Sequence, residues 1–230
     1  MRTTPILIAG ALALVAMSGY GQGTFQNLGF ESASLTPIPP GQYGGPVSVT
    51  AALPGWTGYL GTNQVTQVLQ NNATLGNASI DIFGPNWSGG GRASIIEGQY
   101  TVALQAGVDP STGPPNLISA SISQTGLVPA NAESLQFKAT PFSFTVSFAG
   151  QTLPLVALGS GANYTLYGAD ISSFAGQTGA LTITALPVAP TLGVFDSFQF
   201  SNQRVPEPGI MGLSASGALV LGWRVLRRLR

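Results

Sequence analysis

Apolar and polar side chains alternate with a period of two along much of the chain between residues 25 and 201. In the clearest run, residues 142–148, four large apolar side chains point one way and three hydroxyl-bearing side chains point the other. Such a strand is buried on one face only, so the pattern predicts sheets with a solvent-facing side. Similar runs occur at 101–105, 118–122, 135–138, 181–185 and 198–200, with further candidates at 25–31, 65–69, 78–83, 153–158 and 163–166.

Short segments rich in Gly, Pro, Asn and Ser separate these runs, and helical periodicity is almost absent outside the two ends of the chain. This spacing predicts an all-β fold, an antiparallel β-sandwich of jelly-roll type over residues 22–203. Residues 34–50 and 109–116 concentrate Pro and Gly and are predicted to be surface loops. Residues 84–91, which include Trp87 and three consecutive glycines, are predicted to form another loop.

The composition removes several kinds of chemistry. Only 7% of the 230 residues are charged, and there is no His and no Cys, whereas an ordinary soluble domain has about 25% charged residues. A Ser-His-Asp or Cys-His nucleophile, an imidazole or thiolate zinc site and a disulfide framework are therefore excluded. Hydroxyl-bearing side chains must keep the surface soluble.

The eight basic residues balance eight acidic ones, but five of the basic residues lie at the two ends of the chain. Residues 23–205 contain three basic and seven acidic residues, a net charge of −4. Neutralising phosphates requires a basic patch, which this body lacks, so we expect no nucleic-acid partner.

The first 21 residues have the order of a secretory signal peptide: Arg2, an apolar run over 5–17, and then small residues. We place the cleavage after Gly21, so that the mature protein starts at Gln22 and leaves the cytoplasm through the Sec export machinery. A buried N-terminal helix is the alternative.

The last 25 residues contain a Pro-Glu-Pro motif at Pro206, Glu207 and Pro208, an uncharged apolar stretch over 209–223, and a basic end. The uncharged stretch would be about 22 Å long as a helix, and extension to residue 229 gives about 31 Å, enough for a hydrocarbon core of about 30 Å. A short transmembrane helix is predicted, with the body outside and the terminal arginines on the cytoplasmic side. The cytoplasmic stop consists of Arg224, Arg227, Arg228 and Arg230.

The order of Pro-Glu-Pro, short apolar helix and arginine cluster over 204–230 resembles the PEP-CTERM sorting domain of exopolysaccharide-producing bacteria. The resemblance implies that an exosortase recognises Pro206, Glu207 and Pro208 and cleaves there. The protein would then be anchored transiently in the inner membrane before it reaches the cell surface or the extracellular space. An ordinary C-terminal membrane anchor is the alternative.

The body resembles a galactose-binding-type jelly roll in four short motifs, at 27–31, 54–57, 98–104 and 195–200. The resemblance implies that Glu31 and Asp196 help to bind a structural calcium ion, although Ser197 stands where many members of that family have a second Asp. Calcium prefers six to eight oxygen ligands, several of them charged. The alternative is that Glu31 and Asp196 are solvated residues at strand ends. We expect no other cofactor.

Aromatic side chains in glycine-rich contexts are candidates for stacking on sugar rings. Trp87 is the first of these, and Trp56 and Tyr59 are the others, although a Trp that follows Pro-Gly is also typical of a sandwich core. Glycoside hydrolysis needs only two carboxylates, but none of the seven in the body lies in a recognisable motif. We therefore expect no enzyme activity.

The sequence as a whole indicates an exported, non-catalytic protein of the cell surface or extracellular matrix, with extracellular polysaccharide as a partner. The alternatives are a carbohydrate-binding module with a defined glycan ligand and a carboxylate-only glycosidase. Aromatic side chains along a concave face would favour the module. A flat Ser/Thr surface without a cleft would favour the matrix protein, and a close carboxylate pair in a cleft would favour the glycosidase.

Overall fold

The computed structural model describes residues 20–89, 93–188 and 191–206. The predicted signal helix and the predicted C-terminal transmembrane helix lie outside these residues. Among the helices that the structure does describe, none has the length and apolar character needed to cross a membrane.

Strands dominate the described residues. In chain order they are β1 (Tyr20–Gly21), β2 (Pro46–Ser48), β3 (Thr57–Leu60), β4 (Asn63–Val65), β5 (Gln67–Gln70), β6 (Ser79–Phe83), β7 (Thr101–Val108), β8 (Leu117–Ile118), β9 (Ala120–Leu127), β10 (Ser134–Ala139), β11 (Phe144–Phe148), β12 (Gln151–Thr152), β13 (Val156–Ser160), β14 (Thr165–Asp170), β15 (Thr178–Ala185) and β16 (Thr191–Ser201). A four-residue helix, α1 (Val49–Ala52), and a 3-10 turn at Ser172–Phe174 complete the regular structure described. The side chain of Ser48 accepts a hydrogen bond from the Ala51 N–H and so caps α1.

The described strands form two sheets. The first sheet has the order β13-β14-β10-β16-β7-β6-β5-β2, with β1 paired to β16 and β8 paired to β7. The second sheet has the order β12-β11-β15-β9-β3-β4. The predicted sandwich of two sheets is confirmed.

The core lies between the sheets and is rich in aromatic rings. Phe30, Trp56 and Phe198 contact one another, with ring centroids 5.7 to 6.3 Å apart. Phe137 stacks on Phe198 at 4.8 Å. These rings are buried, and burial of such large apolar surfaces is the dominant source of stability for a fold of this kind.

Residues 46–50, predicted as part of a surface loop, form β2 and the start of α1. Two further features of the fold differ from the sequence-based expectation. Residues 25–31 form turns and not a strand, because Asn27 and Phe30 have positive φ angles of 51° and 60°, which an extended chain does not allow. The sandwich is also not wholly antiparallel, since β5 and β6 pair in parallel. The loop over residues 71–78 leads from the last residue of β5 back to the end at which β5 begins. It thereby allows β6 to run in the same direction as β5.

Candidate binding surfaces

Glu31 holds a tight turn that precedes β7. Its carboxylate accepts hydrogen bonds from the backbone N–H groups of Gln99 and Tyr100, at 3.0 to 3.1 Å. Gly98, with φ of +62°, lies so close that a Cβ atom there would be 2.2 Å from Glu31 Oε1. The carboxylate therefore closes this turn, and a glycine is needed at 98 to admit it.

Asp196 approaches the same turn from β16. Its carboxylate accepts from the Thr101 hydroxyl at 2.6 Å, from the Glu97 N–H at 3.2 Å and from the Ser197 N–H at 2.6 Å. The residue is only 1% exposed, so the alternative of a solvated strand-end residue is wrong for Asp196. Burial raises the pKa of Asp196 from 3.8 to about 7, and the negative charge of Glu31 acts in the same direction.

The structure brings Glu31 and Asp196 together, as the family resemblance implies, but around backbone N–H groups. Within the described ranges, no group of three or more Asp, Glu, His or Cys residues could hold a metal ion. Calcium requires six to eight oxygen ligands, whereas here N–H and O–H donors already occupy lone pairs of both carboxylates. The residues present therefore do not fit a resident calcium ion.

We accordingly expect calcium to leave the melting temperature unchanged. The measurement compares thermal unfolding in millimolar calcium chloride with unfolding in excess chelator, for the wild-type protein and for Glu31→Gln. A rise in melting temperature with calcium that disappears in Glu31→Gln would instead establish the metal site.

Two of the three aromatic residues predicted to contact a glycan, Trp56 and Trp87, pack against other parts of the protein. Trp56 is 4% exposed, and its indole N–H donates to the Asn27 carbonyl at 3.1 Å, so it belongs to the core. Trp87 stacks on Phe83 with centroids 4.2 Å apart, and its indole N–H donates to the Ala93 carbonyl. A Cβ atom on Gly89 would lie 2.3 Å from the Trp87 ring, which shows how closely the loop backbone covers that ring.

Two tyrosines of the described residues also keep part of their surface accessible. Tyr59 lies half-buried on the outer side of the second sheet. Tyr43, which sequence reasoning missed, is 73% exposed, and its ring meets the edge of Trp87 at 6.3 Å. The Pro/Gly-rich composition around Tyr43 predicted a loop correctly but gave no sign of this aromatic contact.

A groove of about 510 Å³ lies between the β13–β14 turn and the segment that follows β10, a volume within the range of about 300–1,000 Å³ that is usual for ligand sites. Its lining is uncharged and combines polar and apolar surface. The lining residues are Ser94, Thr140, Pro141, Ser160, Gly161, Ala162, Asn163, Tyr164 and Thr165. Lys138 Nζ lies 5.2 Å from the centre of the Tyr164 ring. Besides the exposed aromatic residues, the groove is therefore another candidate site for contact with a sugar.

The outer side of the second sheet carries two rows of hydroxyl groups, which we call the hydroxyl face. Each row crosses neighbouring strands in register. Row one consists of Thr57, Ser123, Thr182, Ser147 and Thr152, and row two consists of Tyr59, Ser121, Thr184 and Thr145. Neighbouring strands are about 4.8 Å apart, and the two rows are about 6.8 Å apart along each strand. The hydroxyl face thus presents a regular array.

The hydroxyl face is free of charge. None of the six strands of the second sheet contains an Asp, Glu, Lys or Arg residue. Lys138 lies in the first sheet and forms an ion pair of 2.6 Å with Glu97, and Arg204 follows β16 and pairs with Glu133 at 3.1 Å. The two sheets therefore differ sharply in electrostatic character.

A glycosidase would need two carboxylates that face a cleft. Glu97 and Asp196 lie close together, since the Ser197 hydroxyl donates to Glu97 and is 3.4 Å from Asp196 Oδ1. Asp196 is almost fully buried, Glu97 is paired with Lys138, and neither residue lines the groove. In this structure the two carboxylates form hydrogen bonds and an ion pair within the protein and do not face a cleft together.

The sorting and processing residues lie at the limits of the described chain. Gly21 is part of β1, which pairs with Phe200 and Ser201 of β16, and Gln22 follows it with an exposed side chain. Cleavage between them would remove β1. Pro206 is the last described residue and is exposed. Glu207, Pro208, Arg224, Arg227, Arg228 and Arg230 lie outside the described residues.

Comparisons with known proteins give distant similarities. The sequence matches no protein-family model and no curated protein. Among solved structures, the chain is similar to TmCBM61 in complex with beta-1,4-galactotriose, with 15% identity, a TM-score of 0.42 and coverage of 78% of this chain and 98% of that one. It is also similar to the enzymatically active domain of tailspike protein 4 of bacteriophage CBA120, with 11% identity, a TM-score of 0.35 and coverage of 64% of this chain and 19% of that one.

Proposed function

We propose that the protein is an exported, non-catalytic component of the cell surface or extracellular matrix of an exopolysaccharide-producing bacterium, and that it associates with polysaccharide. The observation that carries this proposal is the uncharged hydroxyl face of the second sheet. Hydroxyl groups both donate and accept hydrogen bonds, so such a surface suits a polyhydroxylated matrix. The burial of Asp196 favours this role over that of a carboxylate-only glycosidase, and the burial of Trp56 removes one candidate for stacking on a sugar ring.

The two ends of the chain supply the route in this proposal. Residues 1–21 direct export through Sec, and residues 204–230 hold the protein in the inner membrane until an exosortase cleaves near Pro206, Glu207 and Pro208. The sandwich is then released to the cell surface or the extracellular space. The exposure of Pro206 at the end of the described chain supports access to the recognition motif.

Intact mass spectrometry of the protein recovered from its host tests this route. We expect a product that begins near Gln22 and ends near Pro206, located in the extracellular polysaccharide fraction of the culture. A Pro206→Ala/Pro208→Ala variant should accumulate in the membrane fraction with its C-terminal arginines intact. A wild-type protein that keeps residues 207–230 in its final location would refute sorting by an exosortase.

A carbohydrate-binding module with a defined ligand is the second candidate function, and the groove beside Tyr164 is the observation that favours it. An aromatic ring, an amide and several hydroxyl groups converge there, which is the usual make-up of a sugar site. Saturable binding of a soluble oligosaccharide that is lost in Tyr164→Ala would establish this function in place of the matrix role.

A further inference from the structure

We infer that the hydroxyl face binds an uncharged, extended polysaccharide chain that lies across the strands and follows the two rows of hydroxyl groups. The surface and the class of glycan go beyond the association with polysaccharide proposed above, on which they rest.

Most hydroxyl groups of this face are available to a partner. Among the described residues of the two rows, only Ser123 and Thr182 bond to each other, within row one and at 2.9 Å, and the Ser123 hydroxyl also donates to the Leu181 carbonyl at 3.3 Å. The other hydroxyl groups of both rows make no hydrogen bond to a described residue: Thr57, Tyr59, Ser121, Thr145, Ser147, Thr152 and Thr184. All of them except Ser121, which is 8% exposed, are half-buried or exposed. The face therefore offers hydroxyl donors and acceptors that no described residue occupies and that the register of the sheet holds in two rows.

The absence of charge selects the class of glycan. An anionic polysaccharide would need Lys or Arg side chains, and the second sheet has none in its strands. Residues 23–205 also carry a net charge of −4, which repels an anionic polymer. An uncharged glycan meets neither obstacle, and its hydroxyl groups can both donate to and accept from the side chains of the face.

The register selects the direction of the chain. Row one crosses five neighbouring strands, so its ends are about 19 Å apart at a strand spacing of about 4.8 Å. A glycan that lies across the strands meets a new hydroxyl group at each step, whereas one that lies along a strand meets only every second residue. Repeated weak contacts along one polymer add up to retention without a deep pocket.

The test compares two variants that remove hydroxyl groups without a change of shape. Thr145 and Thr184 are partners in register on adjacent strands of row two, and Val fits a strand well. Thr145→Val/Thr184→Val should therefore fold normally and lose contacts only on the hydroxyl face. Thr165→Val tests the groove instead of the hydroxyl face, because Thr165 is a strand residue of the first sheet that lines the groove.

Each protein is produced in the host, and its retention is measured on immobilised host exopolysaccharide that anion exchange has separated into a neutral and an acidic fraction. We expect the wild-type protein and Thr165→Val to be retained by the neutral fraction. We expect Thr145→Val/Thr184→Val to be retained about 10- to 30-fold more weakly, as the loss of two hydrogen bonds requires. Thermal unfolding confirms that all three proteins are folded.

The other outcomes separate the inference from the proposed function. Unchanged retention of Thr145→Val/Thr184→Val, weaker retention of Thr165→Val alone, or a preference of the wild-type protein for the acidic fraction would overturn the inference and leave the association with polysaccharide in place. A folded wild-type protein that neither fraction retains would overturn both.

Discussion

Replacement of Asp81 by asparagine should stabilise the protein at pH 8 and leave its stability at pH 4 nearly unchanged. Asp81 lies in β6 with 0% of its surface exposed, accepts a hydrogen bond from the Ser79 hydroxyl at 2.7 Å, and has no partner for Oδ1 among the described residues. Burial raises the pKa of Asp81 from 3.8 to about 7, against a smaller lowering effect of Ser79. Ionisation in the folded state therefore costs about 4 kcal/mol more than in the unfolded chain.

The direction of the pH dependence follows from this raised pKa. Between about pH 4 and pH 7 the folded state holds a proton that the unfolded chain has lost, so the free energy of unfolding falls as the pH rises through this window. The stability contributed by the protonated carboxyl is complete below about pH 4 and is lost above about pH 7. Asp196, whose pKa is also raised to about 7, adds to the same slope.

Urea unfolding of the wild-type protein and Asp81→Asn at pH 4, 6 and 8 measures this effect. Asp109→Asn is the control, because Asp109 is only half-buried and its hydrogen bonds with Ser111 lower its pKa, so its removal should not stabilise the protein at pH 8. If the free energy of unfolding changed with pH equally in the wild-type protein and in Asp81→Asn, the raised pKa of a buried Asp81 would be refuted.

Replacement of Phe137 by alanine should lower the free energy of unfolding by about 3–5 kcal/mol, since it removes a large buried side chain and leaves a cavity. Phe137 is fully buried and stacks on Phe198 at 4.8 Å and on Tyr167 at 5.6 Å. It also meets the edge of Phe144 from the second sheet at 6.1 Å. The ring thus joins the two sheets across the core.

Tyr43→Ala is the matched control, because it removes an aromatic ring that is 73% exposed, and such a surface change should alter the stability by about 0.5 kcal/mol or less. Urea unfolding at pH 6 measures both variants. A loss of less than about 1 kcal/mol in Phe137→Ala would mean that the two sheets do not pack through this ring.

The strand pattern could be predicted because burial of one face requires alternation. In β11 the predicted inward side chains of Phe144, Val146 and Phe148 all pack in or against the core. The same reasoning failed at residues 25–31, where Phe25, Leu28 and Phe30 are buried from consecutive turns. Alternation reports which side chains are buried and does not report whether the backbone between them is extended.

The surfaces depend on contacts that are distant in sequence. Ser123 and Thr182 bond to each other across 59 positions, and no local pattern sets the register that aligns the rows. Outward hydroxyl groups on each strand could be read from the sequence, but their alignment could not. Trp87 had a usable signal that was missed: Phe83, four residues earlier, lies on the outward side of its strand and offers the ring on which Trp87 stacks.

The family resemblance and the structure contribute different parts of the site around Asp196. The resemblance predicted that Glu31 and Asp196 lie close together. The structure shows in addition that both carboxylates accept hydrogen bonds from the turn over residues 97–101. Gly98, a residue at positive φ, was the local sign of such a turn, but a single glycine does not identify the carboxylate that closes it.

Retention of the mature wild-type protein on the neutral and acidic fractions of host exopolysaccharide tests the central claim most directly. The uncharged hydroxyl face predicts retention by the neutral fraction that persists in high salt, because charge plays no part in the contact. Retention by the acidic fraction alone, abolished by salt, would contradict the account.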